Sequence, residues 1–239
     1  MEKKSDITHF SQSVRSKFLW KVVLIFVVVI LALILSMGKN ILLHVGTFMA
    51  PEEGKTADVL ILEGGINIDK RLLVAGIYQL SAHRAERMIL VIHKVVKEVE
   101  PLTANRGNYP NRLKRDLEQM GLAGEKFKII ETPGQHPITL TEAVIVLDEL
   151  YREGVRSAIL ETDGFHELRS YLVYQQAGIP LGIRITPSTY FLDYQINNWW
   201  TTRMGCYEFI EQLAKLAYYY IKGYICSSGR PAESIRHVP

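Results

Sequence analysis

The amino-acid sequence predicts an α/β domain on a parallel β-sheet, preceded by one N-terminal transmembrane helix. Short apolar runs alternate with segments of helical spacing from about residue 58 onward, which is the pattern of βαβ units. Most of these runs end in glycine or in polar residues, and a stretch without a charged residue lies near the N-terminus, at 22–38. Because crossovers between parallel strands are right-handed, helices are expected on both faces of the sheet. The predicted domain is therefore Rossmann-like.

The predicted elements follow one another along the chain. Five strands are predicted at "DVLILEGG", "RMILVIH", "KFKIIET", "RSAILET" and "LGIRITP". Helices are predicted between them at "DKRLLVAGIYQLSAH", "YPNRLKRDLEQMGL", "TLTEAVIVLDELYREG" and "HELRSYLVYQQAG". A last helix, at about 204–221, carries too many charges to span a membrane. We expect it to pack on the sheet through one side, formed by Phe209, Ile210, Leu213, Leu216, Ala217, Tyr220 and Ile221.

The apolar stretch at 22–38 is long enough to cross a hydrocarbon core of about 30 Å. A cleaved signal peptide is the alternative, but its apolar region is usually only about 7–15 residues long and ends at an A-x-A-like site. The basic residues before the stretch are expected to stay in the cytoplasm: Lys3, Lys4, Arg15, Lys17 and Lys21. The sequence therefore predicts a single-pass protein of the inner (cytoplasmic) membrane, with its main domain outside the cytoplasm.

The predicted organisation has five parts. A cytoplasmic N-terminus (1–17) precedes the transmembrane anchor (18–38) and a linker (39–56), and the α/β domain (57–223) is followed by a disordered tail (224–239). Cys206 and Cys226 would lie about 30 Å apart on a continuous helix, beyond the reach of about 7 Å that a disulfide needs. No intramolecular disulfide is expected.

The charge distribution gives no sign of a nucleic-acid surface. The formal net charge of +3 comes in part from the basic N-terminus, and no Lys/Arg stripe with interleaved aromatic residues follows. The sequence also contains neither G-x-G-x-x-G nor the Walker motif. No nucleic-acid partner is predicted, no cofactor is named, and protein partners are left open.

Candidate site residues lie at the ends of the predicted strands, where ligands bind in open parallel sheets. They are Glu63-Gly64-Gly65, His93, Glu131-Thr132 and Thr162-Asp163-Gly164. The two glycines could offer backbone N–H groups to a phosphate, or form only a tight turn. Because the spacing of the histidines and carboxylates is not diagnostic, no metal site is predicted.

His166 and Arg169 form the sharpest candidate pair, because residues three apart share one helical face. Cations are disfavoured near a helix N-terminus unless an anion is present. That anion would be either an internal carboxylate, Asp163 or Glu167, or a bound phosphate or carboxylate. Arg71 would be a second anion clamp or a surface residue, and Asp69 is expected to cap its helix.

From about residue 58 to residue 223 the chain resembles the YdcF/SanA/ElyC-like family, a domain family of unknown biochemical activity. The first strand ends in Gly-Gly ("LILEGG"), and Arg71 begins an Arg-x3-Ala helix. Phe165, His166 and Arg169 match a Phe-His-x-x-Arg motif, and "YEFIEQLAKLAYYYIKG" matches the closing helix. The resemblance implies a Rossmann-like fold, a role in the cell envelope and, in several members, an N-terminal membrane span.

Two segments depart from the family pattern. The second strand usually ends in Ser-Gly-Gly, but here it reads "VIHKVVKEVE" and runs into an insertion. The usual Asn-Thr-x-Glu-Asn-Ala segment reads "ITLTEA", which keeps Thr139 and Ala143, and Glu142 would replace the missing carboxylate. Either the ligand differs from that of other members or the site has decayed.

These features predict an envelope protein that binds an anionic phosphorylated metabolite of cell-wall or lipid-carrier metabolism. A catalysed reaction on that metabolite is the further expectation. The ligand could be free or lipid-linked. Catalytic roles are expected for Asp163, as general base, and for His166 and Glu142. The alternative is a non-catalytic scaffold with a degenerate site. The expected ligand-binding residues are Glu63, Gly64, Gly65, Arg71, Thr139, Thr162, His166 and Arg169.

The aromatic segment "STYFLDYQINNWW" (188–200) is expected between the last strand and the last helix. Its tyrosines and tryptophans could meet a membrane interface, cover an apolar or glycan ligand, or pack against the neighbouring helix.

Overall fold

The structure of the 239-residue chain is a computed structural model in which residues 24–30, 32, 37–94 and 109–225 are described. The chain divides into two units, residues 1–45 and residues 46–239. Three predicted features lie outside the described residues: the cytoplasmic N-terminus (1–17), the insertion after the second strand (95–108), and the tail from residue 226 with Cys226.

In the first unit, residues 24–30 and 37–45 are helical. The predicted transmembrane anchor (18–38) lies only partly within the described residues, because 18–23, 31 and 33–36 are not among them. Over the described ranges, no helix is long and apolar enough to cross a membrane. The anchor therefore stays a prediction.

The second unit is built on a five-stranded sheet in the order β3-β2-β1-β4-β5. All neighbouring strands run parallel, which confirms the predicted α/β fold on a parallel sheet. β1 lies in the centre and all five of its side chains are buried, as expected for a strand covered on both faces. The strands are β1 (Val59–Glu63), β2 (Arg87–His93), β3 (Phe127–Thr132), β4 (Ser157–Asp163) and β5 (Arg184–Tyr190).

Within the described residues, five α-helices accompany the strands: α1 (Lys70–Ser81), α2 (Tyr109–Gln119), α3 (Ile138–Arg152), α4 (Glu167–Gly178) and α5 (Arg203–Ile221). α1 and α2 cover one face of the sheet, where alternate residues of β1 and β2, such as Leu60, Leu62 and Leu90, join Leu73 and Leu113 in one core cluster. α3 and α4 pack against each other, and right-handed crossovers place them on the opposite face. Asp69 caps α1 as predicted, because its Oδ1 accepts the N–H of Arg71 at 2.8 Å.

The predicted packing side of α5 is correct only at Leu216, which is buried, and at Phe209, which packs on Phe165 and Trp199. Its buried residues are Gly205, Gln212, Leu216 and Tyr219, whereas Ile210, Leu213, Tyr220 and Ile221 are exposed. The helix packs against α4, the turn at Gly164–His166 and the turn at Trp199–Thr201. The spacing of apolar residues does not indicate the buried side of α5, because that side carries a glutamine and a tyrosine that bond to other helices.

The ends of β4 and β5 also differ from the prediction. β4 continues one residue beyond the predicted strand, through Asp163, and the chain turns only at Gly164. β5 extends to Tyr190, so the first three residues of the predicted aromatic segment (188–190) are strand residues paired with the end of β4. This longer edge strand brings the following loop beside the turn that carries His166.

Candidate functional site

A cavity of about 320 Å³ lies at the carboxyl ends of the strands. β1 and β4 are neighbours in the sheet, yet the chain leaves them toward opposite edges, and such a switch point is where open α/β sheets bind ligands. Strands β1 and β2, helices α3, α4 and α5, and the turns and loops between these elements contribute to its lining. The lining residues are Glu63, Gly65, His93, His136, Ile138, Thr139, Glu142, His166, Arg169, Lys215, Tyr218 and Tyr219.

Arg169 lies in the first turn of α4 and is only 5% exposed. Its guanidinium donates to Thr139 Oγ1 and, at 3.3 and 3.4 Å, to Gln212 Oε1. The ring of Tyr219 lies 5.1 Å from its Cζ, and the Tyr219 hydroxyl accepts the N–H of Thr139 at 3.3 Å. The guanidinium is thus held in place by neutral groups from α3 and α5.

Glu63 and His166 face each other across the junction of β1 and β4. His166 Nε2 lies 3.9 Å from Glu63 Oε2, beyond hydrogen-bond distance. Among the described residues, neither Glu63 oxygen nor His166 Nε2 has a hydrogen-bond partner of good geometry, although the hydroxyls of Ser170 and Tyr174 lie close enough to lower the pKa of Glu63. The His166 ring keeps 29% of its surface accessible while Nε2 itself is covered. Buried polar atoms without partners are rare in folded proteins and require a specific explanation.

Burial sets the charge state of this pair. It raises the pKa of Glu63 to about 8, and the negative charge of Glu142 adds to the effect. Burial also lowers the pKa of His166 well below its ordinary value, with further contributions from the charges of Arg169, Lys215 and His93. At neutral pH Glu63 is therefore largely a neutral carboxylic acid and His166 a neutral imidazole.

His93 and Glu142 form a second acid–histidine pair in the same cavity. His93 ends β2, and its Nε2 lies 2.5 Å from Glu142 Oε1 on α3. This hydrogen bond raises the pKa of His93 above its ordinary value, although partial burial acts against it. The two histidines of the cavity thus favour opposite protonation states, because one is bonded to a carboxylate and the other is only desolvated.

Six of the expected ligand-binding or catalytic residues line the cavity, together with the strand-end candidate His93: Glu63, Gly65, Thr139, Glu142, His166 and Arg169. Gly64 does not line it: its N–H donates to Val91 O at 3.1 Å, and a Cβ there would overlap Ile68. The Gly-Gly turn also ends several residues before α1, so it does not form that helix's N-terminus. Gly65 alone could offer its backbone to a ligand.

Arg71 lies outside this cavity. Its guanidinium donates to both carboxylate oxygens of Asp69, to Asp193 Oδ1 and to the carbonyl oxygen of Leu192. The side chain is 49% exposed. Arg71, Asp69 and Asp193 are called the Arg71 cluster below.

Thr162 and Asp163 also lie outside the cavity lining. Thr162 is fully buried, and both its N–H and its hydroxyl donate to Glu167 Oε2. Asp163 Oδ1 accepts the N–H of Leu192 at 3.2 Å, and burial raises its pKa to about 6. Neither Asp163 nor Glu167, the internal partners considered for His166 and Arg169, forms an ion pair with them among the described contacts. Among the described ion pairs, His166 is paired with Glu63.

The turn between β4 and α4 needs a glycine. Gly164 has a φ of +53°, and a Cβ there would lie 2.4 Å from the Tyr194 hydroxyl and 2.6 Å from Glu208 Oε1. Glu208 Oε1 also accepts the N–H of Phe165. This close packing by the β5–α5 loop and by α5 fixes the direction in which His166 leaves the sheet.

The aromatic segment packs inside the domain, which agrees with one of its three interpretations. Phe165 is fully buried and lies edge-on to Phe191 and Trp199 and stacked on Tyr194. Tyr194 and Trp199 are themselves 4% and 5% exposed. These rings support the turn that carries His166.

The expected ligand set omitted His93 and the residues contributed by α5. His93 was recognisable as a strand-end residue on β2, next to β1. Gln212, Lys215 and Tyr219 follow each other at intervals of three and four, so they share one side of α5. That polar stripe is visible in the sequence, but the apolar residues beside it led to the prediction that the other side of α5 is buried.

Two further observations limit the choice of site. Among the described residues, no group of three or more His, Cys, Asp or Glu side chains could hold a metal ion. A wider groove of about 1000 Å³ lies at the amino ends of the strands, opposite the cavity. There Asp58 accepts the N–H groups of Arg156 and Ser157. The smaller cavity is the better candidate because Glu63 Oε1, Glu63 Oε2 and His166 Nε2 lie there without partners.

Comparisons with protein-family models, curated proteins and solved structures found no match for this chain. The resemblance to the YdcF/SanA/ElyC-like family stays a prediction from the motifs.

Proposed function

We propose that the cavity binds a small ligand through a phosphate group, and that the protein is a membrane-anchored envelope protein that recognises a phosphorylated metabolite of cell-wall or lipid-carrier metabolism. The observation that carries the proposal is the buried guanidinium of Arg169, which lines the cavity and, among the described residues, has only neutral hydrogen-bond partners.

A buried cation without a paired anion is unfavourable, because it has lost its hydration and gained no opposite charge. Glu63 would be the internal counter-ion, but its raised pKa keeps it largely uncharged at neutral pH. Glu142 is already bonded to His93. A phosphate in the cavity would supply the missing negative charge, and guanidinium groups match phosphate oxygens in geometry.

The other lining groups favour the same ligand class. Lys215 and the His93 imidazolium add positive charge, and a protonated Glu63 can donate a hydrogen bond to a phosphate oxygen. The volume of about 320 Å³ lies at the lower end of the range for ligand pockets, about 300–1,000 Å³. It fits a phosphorylated head group better than a dinucleotide.

The cellular setting in this proposal rests on the sequence. The uncharged stretch at 22–38 and the basic residues before it support an anchor with the α/β domain outside the cytoplasm. The motif resemblance supports a role in the cell envelope. An envelope-side site would have access to lipid-linked phosphates and to the sugars attached to them.

Thermal unfolding of the full-length chain in a mild non-ionic detergent tests the proposal. The chain is heated with inorganic phosphate, glycerol 1-phosphate or a short polyprenyl phosphate, and with glycerol as the uncharged control. A phosphate ligand at 100 times its dissociation constant should raise the free energy of unfolding by about 2.7 kcal/mol. Stronger stabilisation by the polyprenyl phosphate would indicate a lipid-linked ligand.

A matched pair of lysine variants locates the site. Lys215→Gln, in the cavity lining, should weaken phosphate binding about tenfold, the size of one charge-assisted contact. Lys114→Gln removes a comparable lysine from α2, which also pairs with a glutamate one turn away, and should leave binding unchanged. If no phosphate compound stabilises the chain, the proposal fails and the non-catalytic scaffold becomes the better description.

A further inference from the structure

The two histidines of the cavity, rather than its cations, carry an inference that rests on the proposed function and extends it to a reaction. We infer that the cavity hydrolyses a phosphate ester, with His166 as general base toward water and His93 as general acid toward the leaving oxygen. The sequence gave His93 only as a strand-end candidate, without a catalytic role, and named no reaction.

His93 and His166 are placed on either side of one cavity. His93 ends β2, His166 follows β4, and both line the same cavity, with only β1 between their strands. Neighbouring strands lie about 4.8 Å apart, so the two backbones are separated by about 10 Å at this edge. Two imidazoles that reach inward from such positions can contact opposite sides of one phosphate group. Arg169 and Glu63 line the same cavity as the two histidines.

The second support is the environment of His93. Its Nε2 is held by Glu142 at 2.5 Å, so the imidazolium form is favoured. The second N–H of an imidazolium is then at Nδ1, for which no described residue supplies a hydrogen-bond acceptor. Nδ1 is also not among the covered polar atoms that lack a partner, and His93 lines the cavity. His93 therefore keeps one proton available to a ligand.

The third support is the environment of His166. Its Nε2 is covered by protein and, among the described residues, has no hydrogen-bond partner. Burial and the nearby cations keep the ring neutral. Because Nε2 is covered and faces Glu63, the ring nitrogen that accepts a proton from water is Nδ1, which is not among the covered atoms. A pair of titratable groups held in opposite protonation states beside one cavity is the usual arrangement for general acid–base catalysis.

The proposed step balances in atoms and charge. A water oxygen attacks phosphorus as His166 takes one of its protons, and a P–O bond forms. The bond from phosphorus to the ester oxygen breaks, and His93 gives its proton to that oxygen, so the products are an alcohol and inorganic phosphate. The phosphate oxygens stay on Arg169, and Glu63, 3.9 Å from His166 Nε2, faces the imidazolium that forms.

The experiment compares two phosphate monoesters with the full-length chain. p-Nitrophenyl phosphate has a leaving group that needs no proton, whereas the alkoxide of glycerol 2-phosphate needs one. His166→Gln should slow both hydrolyses about 100-fold, a typical effect for a general base. His93→Gln should slow glycerol 2-phosphate hydrolysis by about the same factor and p-nitrophenyl phosphate hydrolysis only a few-fold. His83→Asn, on a surface turn outside the cavity, is the control and should change neither rate.

Several outcomes would overturn the inference. A wild-type chain that binds inorganic phosphate but hydrolyses neither ester would contradict it while leaving the proposed function standing, and this result needs no variant to fold. Equal loss on both esters in His93→Gln would remove the general-acid role. An acid-labile phosphoenzyme trapped during turnover would make a histidine the nucleophile instead of the base. If the chain binds no phosphate compound at all, it is the proposed function that fails.

Discussion

Arg169 and Arg71 occupy the same kind of position and have opposite surroundings. Each lies in the first turn of a helix that follows a strand of the sheet, on α4 and on α1. Arg71 is half exposed and bonded to two carboxylates, whereas Arg169 is buried among neutral partners. Sequence spacing treats the two residues alike. The difference shows that a candidate anion site is recognised by the charge that its surroundings leave unbalanced, not by the arginine itself.

The largest expected effect separates the two arginines directly. Arg169→Gln removes the buried guanidinium and should weaken the binding of inorganic phosphate at least 100-fold, which is about 2.7 kcal/mol. Arg71→Gln removes a guanidinium already satisfied by Asp69 and Asp193 and should leave binding unchanged. Isothermal titration calorimetry on both full-length variants measures this. An equal loss in the two variants would erase the distinction between the regions.

The same comparison has a control on stability. Arg71 forms exposed ion pairs, and solvent screening leaves such pairs with little effect on stability. Arg71→Gln should therefore lower the free energy of unfolding only slightly, while Arg169→Gln exchanges an unbalanced buried charge for a neutral amide. Urea unfolding of both variants would show whether the loss of phosphate binding comes from the site or from partial unfolding.

Glu63 and Asp163 extend the comparison to pH. Burial raises the pKa of Glu63 from its ordinary 4.5 to about 8. Between these values the folded chain keeps a proton that the unfolded chain has released, so stability falls as pH rises, by about 1.4 kcal/mol per unit. Between pH 5.5 and pH 7 the wild type should lose about 2 kcal/mol more than Glu63→Gln, which cannot titrate.

Asp163 should titrate in a lower range. Its pKa is raised from 3.8 to about 6, so Asp163→Asn should alter the pH dependence only below about pH 6. Urea unfolding at several pH values measures both variants. If Glu63→Gln has the same slope as the wild type between pH 5.5 and pH 7, then the Glu63 carboxyl is already ionised and would pair with Arg169, which would weaken the case for an anionic ligand.

Gly164 lies at the turn between β4 and α4, after Asp163 and before His166. Gly164→Ala would force a left-handed backbone on alanine and push its Cβ toward Tyr194 and Glu208. The expected loss in the free energy of unfolding is about 1 kcal/mol or more. Thermal unfolding checks it, and Gly154→Ala is the matched control: that glycine also has a positive φ, but no atom lies within 4 Å of its added Cβ. Equal losses in the two variants would mean that only backbone strain matters at residue 164.

The fold was predictable from the sequence, and about half of the site was. Alternating strands and helices were enough for a parallel sheet, because every strand here is a short apolar run that ends in polar residues or glycine. Strand ends then located Glu63, His93 and the turn before His166. The separation of Arg169 from Arg71 was not predictable, since it depends on Asp193, which is distant in sequence. The contribution of α5 was not predicted because its buried side carries polar partners of Arg169, whereas its exposed side carries the larger number of apolar residues.

The smallest predicted effect concerns Glu142, which holds the His93 imidazolium. Glu142→Gln keeps the shape and a hydrogen-bond acceptor but removes the charge that raises the pKa of His93, so the pKa should fall toward its ordinary 6.5. NMR titration of the His93 ring measures the change, and Asp193→Asn, in the Arg71 cluster, should not alter it. Because His93 would then lose its proton at lower pH, phosphate affinity in Glu142→Gln should decline with rising pH across a lower range than in the wild type. An unshifted His93 titration would mean that the charge of Glu142 does not maintain the imidazolium, and it would remove the reason for assigning the leaving-group proton to His93.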